Sequence, residues 1–200
     1  MKVIEVTARK GGVGTTTVAC SLALSLSQQN PDKVLLIDTS HNTEAFSVLG
    51  LSSPKNGVSS SVGQHNLTVV NVPLANVNGL AVSQYDFVVI DAGKLDGVDN
   101  SYFGQVPFQV AVVRNSYLSL RAESATRFGK DAIVSIHDSG FVLNEKDVRN
   151  VLNGNPVSVF PFDHAVARAI DAGLFPSREP LWSEWTTAFI KQHDLSPLTV

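Results

Sequence analysis

The sequence predicts an α/β fold: a mostly parallel, twisted sheet of about seven strands with helices on both faces. Three observations predict it. Short apolar runs rich in β-branched residues recur along the chain, and stretches of helical periodicity separate them. A glycine-rich turn stands directly between the first such run and the first helical stretch. Capping residues sit where the helices are expected to start and stop.

The strands are expected at 3–7, 34–38, 67–72, 87–91, 108–114, 132–137 and 157–160, and the helices at 16–29, 42–49, 117–130, 145–153, 164–172 and 179–193. Asn144 and Asp163 have the short polar side chains that accept from the first amides of a helix, and Gly173 with Pro176 supplies a stop. Residues 50–66, rich in Ser, Gly and Asn and without periodicity, read as a surface loop. Neither repeats nor a low-complexity linker interrupts the pattern, so one domain over 1–200 is expected, with the last helix packed on it.

Composition narrows the function. At 200 residues and 44% hydrophobic content the chain can build a full core without disulfide staples, and its one cysteine, Cys20, lies in an apolar-periodic stretch that suits a small buried side chain. Residues 1–7 alternate apolar with polar or charged, unlike a secretory leader, and apolar runs such as Phe87-Val88-Val89-Ile90 are far shorter than the roughly 20 residues of a membrane span. A cytoplasmic location is therefore expected. A formal charge of −3 supplies no global field for nucleic acid. DNA contact would need a local patch, for which Arg114, Arg121, Arg127 and Lys130 are the candidates, although solvated helix positions explain them equally well. The five histidines show no metal-ligand spacing.

The informative segment is Ala8-Arg9-Lys10-Gly11-Gly12-Val13-Gly14-Thr15-Thr16-Thr17. Glycines at 11, 12 and 14 let the backbone wrap its N–H groups around an anion, and the following helix adds the positive end of its dipole. A polyphosphate is the natural occupant. The Thr16 hydroxyl, in the first helical turn, stands where such loops place a ligand for the accompanying Mg2+. The ordinary pattern G-x-x-x-x-G-K-[ST] is broken by Arg9 at its first glycine and by Thr15 at its lysine, while Lys10 stands early in the loop.

This arrangement resembles the deviant Walker A loop, K-G-G-x-G-K-[ST], of the ParA and MinD superfamily of P-loop ATPases. The resemblance implies a P-loop NTPase fold binding ATP and Mg2+, with Lys10 reaching across a homodimer interface to the partner's nucleotide. It makes Gly11, Gly12, Val13, Gly14, Thr15, Thr16 and Thr17 the phosphate loop. Thr15 departs from the family at the lysine that contacts phosphates in cis, which implies weakened hydrolysis. Val34-Leu35-Leu36-Ile37-Asp38 resembles the family's second motif, so Asp38 is the expected catalytic acid and a metal-side residue, although Ser40 replaces the next family acid. Tyr85-Asp86-Phe87-Val88-Val89-Ile90-Asp91-Ala92-Gly93 looks like the Walker B strand, with Asp91 near the metal and Gly93 presenting a backbone N–H to a phosphate. Taken alone, either strand-terminal acid can also be a simple turn or helix cap, and its coincidence with the loop favours the site reading.

Residues 112–121, ending Ser119-Leu120-Arg121, and residues 161–173 resemble two later family segments, so the likeness spans 2 to about 175. It fails where the family often carries an adenine-reading asparagine, since Ile136, His137 and Asp138 stand there. The Gly-Gly-Val-Gly-Thr-Thr-Thr form of the loop most resembles the branch of the pilus-localisation proteins CpaE and TadZ and their septum-site-like relatives. Those often carry a receiver-like domain before the ATPase, whereas the first strand here is expected to begin at Lys2 or Val3.

Leu181, Trp182, Trp185, Ala188 and Phe189 fall on one face of the final helix, which is expected to pack on the sheet. Its polar side carries Glu179 and Glu184 beside Lys191, poor chemistry for an anionic membrane. The reading is thus an ATP-binding, dimerising positioning protein with weak ATPase activity and a protein partner in a pilus, septum or partition system. The alternatives are a pseudo-ATPase scaffold that recruits partners without hydrolysis, and a small-molecule kinase or ligase on the same fold.

Overall fold

The computed structural model describes residues 1–52, 60–62, 66–95, 101–124, 130–152 and 157–196, with backbone alone for 60–62. Among these residues, eight strands form one sheet: β1 (Lys2–Ala8), β2 (Val34–Asp38), β3 (Ser60–Val62), β4 (Leu67–Asn71), β5 (Phe87–Lys94), β6 (Phe108–Arg114), β7 (Ala132–Asp138) and β8 (Val157–Phe162). Their order is β3-β4-β2-β5-β1-β6-β7-β8, and every pairing is parallel except β3 with β4. All seven expected strands are present. The eighth, β3, falls inside the stretch 50–66 expected as a loop: Ser-Ser-Val is too short and polar to show a period, and only pairing to the β4 edge makes it a strand. The rest of that expected loop, 53–59 and 63–65, lies outside the described residues.

Among the described residues, six α-helices accompany the sheet: α1 (Thr15–Gln29), α2 (Glu44–Val48), α3 (Tyr117–Ser124), α4 (Glu145–Val151), α5 (His164–Asp171) and α6 (Ser183–Gln192). The largest apolar cluster joins α1, α2, α5 and α6 to one face of the sheet, and smaller clusters on the other face include residues of α3 and α4. α1 is covered nearly all round, so its hydroxyls must be satisfied internally: Ser21 donates to the Thr17 carbonyl (2.7 Å) and Ser27 to that of Leu24 (2.8 Å). Cys20 is buried among them.

Helix ends follow the expected chemistry where the cap is local. Asn144 and Asp147 form a reciprocal capping box at α4, and Asp163 Oδ1 accepts from the Ala165 (2.7 Å) and Val166 (3.0 Å) amides at α5. Two expectations shift. α2 starts at Glu44 rather than 42, because Thr43 adopts a left-handed conformation (φ 52°) and the first-turn amides are held from the end of β2. The final helix is not continuous from 179: Pro180 lies in a 3-10 turn (Glu179–Leu181), and α6 begins after Trp182. Ala188 faces solvent, while Trp182, Trp185, Thr186, Phe189 and Ile190 are buried. Trp185 meets Phe160 of β8 edge-on at 5.0 Å, which docks α6 on that side of the sheet. The end of the expected helix 117–130 beyond Ser124, and Arg127 with it, lies outside the described residues save Lys130. Among the described residues, no helix is long and apolar enough to cross a membrane.

α2 and α5 both end in glycine turns, in which Leu51 donates to Phe46 (2.8 Å) and Leu174 to Ala169 (2.8 Å). The turns touch. A Cβ on Gly50 (φ +65°) would lie 2.1 Å from the Gly173 carbonyl oxygen, so neither strain nor clash can be relieved by a side-chain rotation. Gly50→Ala is expected to lose roughly 2 kcal/mol or more of unfolding free energy, measured by chemical denaturation. A loss below about 0.5 kcal/mol would show that the two turns can separate freely.

Candidate functional site

The site is built where three parallel strands end together. β1 lies between β5 and β6, with the chain's connections running to opposite sides, and such a crossover point leaves a crevice at the strands' carboxyl ends. The register aligns Asp38 of β2 with Asp91 of β5, and Val6 of β1 with Asp91, before an irregularity pairs Thr7 with Gly93. The loop 9–14 leaves β1 at that crevice and enters α1. Gly14 caps α1 in a left-handed conformation (φ 104°), and the first turn of this 15-residue helix carries no acid to compete with an anion.

A cleft of about 560 Å³ opens there, lined by Gly11, Gly12, Gly14, Thr15, Thr16, Thr17, Ser40, Glu44, Asp91, Gly93 and their neighbours. A Cβ added at Gly11, Gly12 or Gly93 would meet nothing within 4 Å, so these turns border open space rather than packed protein. The cleft fits a phosphate chain and a cation. Its loop glycines leave the approach to the backbone clear, and Asp91 Oδ2 is buried without a hydrogen-bond partner. Thr16 and Asp91 are the oxygen donors that would hold Mg2+, a hard cation that takes such ligands.

The structure brings together Gly11, Gly12, Gly14, Thr15, Thr16, Thr17, Asp91 and Gly93 in this cleft. Val13 is buried and faces the other side of the loop. Lys10 is exposed and lines a neighbouring cleft of about 460 Å³ with Val13, Arg114, Tyr117 and Val142, so its side chain stands on the outer flank of the loop. Gly93 (φ +60°) donates its N–H to Asp91 Oδ1 (3.2 Å). Thr15, in the position of the usual lysine, is only 8% exposed.

Asp38 does not line the cleft. It is fully buried, and both of its oxygens are engaged: Oδ1 accepts from the Ser40 amide (2.8 Å) and Oδ2 from the Ala45 amide (3.0 Å). In this structure Asp38 is the cap that shapes residues 39–45, the alternative that a strand-terminal aspartate always carries. Sequence reasoning missed Glu44, which lines the cleft with Thr16 Oγ1 donating to its Oε2 at 3.3 Å. Its signal was present, an acid at the first position of a helix, but only the fold shows which cleft it faces. Asn115 was also missed. It ties β6 to β7 by donating to the Asp138 and Leu143 carbonyls and accepting from the Asp138 amide.

At the position where the family often reads adenine, Asp138 is committed elsewhere. Its Oδ2 pairs with Arg114 (3.1 Å), whose guanidinium also lies over the Phe141 and Phe162 rings at 5.5 and 5.3 Å. Arg114, one of the residues considered for a DNA patch, is thus engaged by Asp138 and two aromatic rings.

Burial pushes the Asp91 carboxyl up to about 7, and the neighbouring Asp38 charge adds to the rise; the Thr16 hydroxyl and the Gly93 amide offset only part. The folded protein therefore binds this proton more tightly than the unfolded chain, whose group titrates near 3.8. The sign follows: the contribution of Asp91 is fully present below the unfolded value and is lost as pH rises to about 7. Nucleotide-free protein is expected to lose thermal stability across that window, and Asp91→Asn should flatten the slope, as read by melting curves at stepped pH. Asp38→Ala, by orphaning two amides, should cost about 2–4 kcal/mol, measured by denaturant titration. A near-neutral result would show that those amides find other partners.

Comparisons with known proteins agree with this geometry. Residues 1–82 match the family model described as an AAA domain. A stretch of 67 residues is 42% identical to an ATPase ASNA1 homolog of Entamoeba dispar; it covers 32% of this chain and 19% of that protein, so the chain spans about a fifth of that relative. Among solved structures, the MinD cell division protein of Aquifex aeolicus superposes with a TM-score of 0.70 over 100% of this chain and 99% of its own, at 17% identity. The septum site-determining protein MinD of Pyrococcus horikoshii, complexed with Mg-ADP, gives 0.70 at 16% identity, over 97% of this chain and 95% of that one. A ParA family ATPase from Chlorobium tepidum gives 0.60 at 18%, over 94% and 96%. The chain has the P-loop NTPase fold of the MinD and ParA ATPases, which is the fold that the resemblance drawn from its sequence implied.

Proposed function

We propose that this chain is a nucleotide-dependent positioning switch of the ParA and MinD kind. ATP with Mg2+ binds the loop 9–17, two copies meet face to face, and Lys10 of each reaches the other's nucleotide. The observation that carries the reading is the convergence, in one cleft, of the open glycine turns, the α1 N-terminus, the Thr16 hydroxyl and the unpartnered Asp91 oxygen. The placement of Lys10 on the outer flank of the loop supports its role toward a second copy, since a side chain aimed into its own cleft could not serve there. Nucleotide-bound MinD of similar fold supports the ligand class. The output would be localisation of a pilus, septum or DNA cargo through a protein partner, in the CpaE and TadZ branch that the loop resembles, at a cytoplasmic location. Hydrolysis is weak, because Thr15 offers no charge to the β and γ phosphates.

A second reading, a scaffold that binds nucleotide without hydrolysing it, is favoured by one specific observation: Asp38, the expected catalytic acid, has both oxygens occupied by backbone amides. Turnover at background with intact binding and dimerisation selects this reading. Measurable turnover selects the first.

Calorimetric titration with ADP and Mg2+ is expected to show one site per chain. Thr15→Lys should tighten it about tenfold or more, the worth of one charged hydrogen bond. Light scattering should show ATP with Mg2+ driving monomers to dimers, and Lys10→Ala should abolish that shift. Absence of binding at millimolar nucleotide would overturn both readings.

A further inference from the structure

We infer that Glu44, and not Asp38, is the carboxylate beyond Asp91 through which this chain acts on the nucleotide's Mg2+, as a positioning residue that accepts the hydrogen bond of the Thr16 hydroxyl and leaves that oxygen's lone pairs facing the cleft. The inference rests on the nucleotide-binding reading above and deepens it.

A hydroxyl has one proton to donate and two lone pairs to offer. If it is to ligate a cation, its proton must be directed to another acceptor, and the group that receives it fixes the orientation of the ligand. In this structure two carboxylates stand near that proton: Glu44 Oε2, which accepts it at 3.3 Å, and Asp91, which the same hydroxyl also stabilises; a cation held by Asp91 would leave Glu44 as the acceptor. Asp38, opposite Asp91 in the register, is not available for the task, because its two oxygens are held by the Ser40 and Ala45 amides and its side chain is fully buried.

Glu44 is held in place by the same turn that sequesters Asp38. Its own amide donates to Ser40 Oγ (2.9 Å), and the next amide, that of Ala45, donates to Asp38 Oδ2. Asn71 Nδ2 closes the turn by donating to the Asp38 (3.0 Å) and Ser40 (2.8 Å) carbonyls. The backbone of Glu44 is therefore fixed, whereas its side chain is exposed and reaches the cleft. Ser40, which stands where the family has its next acid, has become part of the support, and the negative charge has moved four residues along the chain.

A second, independent observation points to a cation in the same place. Asp91 Oδ2 is buried, has no partner and borders the cleft that Thr16 and Glu44 also line. Carboxylates on the wall of a phosphate site repel the bare phosphate chain, and a divalent cation between them reverses the sign. Glu44 thus makes nucleotide binding depend more steeply on Mg2+ than the loop alone would.

The test measures the dissociation constant of fluorescent ADP with Mg2+ and with EDTA, for wild type, Glu44→Gln and Glu44→Ala, alongside melting curves of each protein without nucleotide. Because the Glu44 side chain is exposed, both variants are expected to melt with wild type. The affinity gain conferred by Mg2+ should shrink about tenfold in both, as for loss of an outer partner of a metal ligand, while affinity in EDTA stays level or improves. A variant whose Mg2+ gain equals that of wild type overturns the assignment of Glu44 while leaving the nucleotide reading intact. Equal loss of affinity with and without Mg2+ also overturns it, since that marks a general packing role. Wild type that binds no ADP overturns the nucleotide reading and this inference together.

Discussion

The parallel register that sets Asp38 of β2 opposite Asp91 of β5 governs the rest of the site. Two carboxylates at adjacent strand ends, both buried, cannot be equally satisfied in a low-dielectric interior. The structure treats them unequally. Asp38 receives two backbone amides, whereas Asp91 receives one, from Gly93, and keeps its second oxygen without a partner. The first aspartate becomes a structural support, and the second holds unspent capacity for a proton or a cation.

Around this pair the loop and helix supply what carboxylates cannot. The glycines at 11 and 12 border open space, and the α1 N-terminus contributes its dipole without an acid in its first turn. The two halves of the cleft are tied by short links: Arg9 donates to the Leu95 carbonyl (2.7 Å), the Thr39 hydroxyl to that of Asp91 (2.8 Å), and Thr7 to that of Gly93 (3.3 Å). Change at the end of β5 is therefore felt in both the phosphate loop and the turn after β2. Such coupling is what a switch requires, since a ligand shifts a conformation only through contacts that differ between states.

The turn at 39–45 shows how a local departure from a motif is absorbed. With serine in place of an acid at 40, the turn gains a neutral acceptor for the Glu44 amide, and α2 can begin there despite the left-handed Thr43. The Gly50 and Gly173 turns then let α2 and α5 approach closely, which seats α2 against the body of the protein.

Much was legible in the sequence because its causes are local. Seven strands showed as β-branched runs, the caps at Asn144 and Asp163 as short polar side chains, and the phosphate loop as glycines between a strand and a helix, since propensity, capping and backbone freedom act within a few residues. Strand β3 was not legible, because it needs an edge to pair with, whereas the break before α6 had a local sign in Pro180 that the expected helix over 179–193 did not use. The candidate site divides along the same line. Residue types and spacing brought out Thr16 and the loop glycines, and the family resemblance brought out Asp91, but whether an acid is a cap or a cleft residue depends on which amides and which open space the fold brings to it. Tertiary structure turned Asp38 inward, turned Glu44 toward Thr16 and gave Arg114 to Asp138, since each of those partners arrives from an element distant in the chain or from a turn whose shape packing decides.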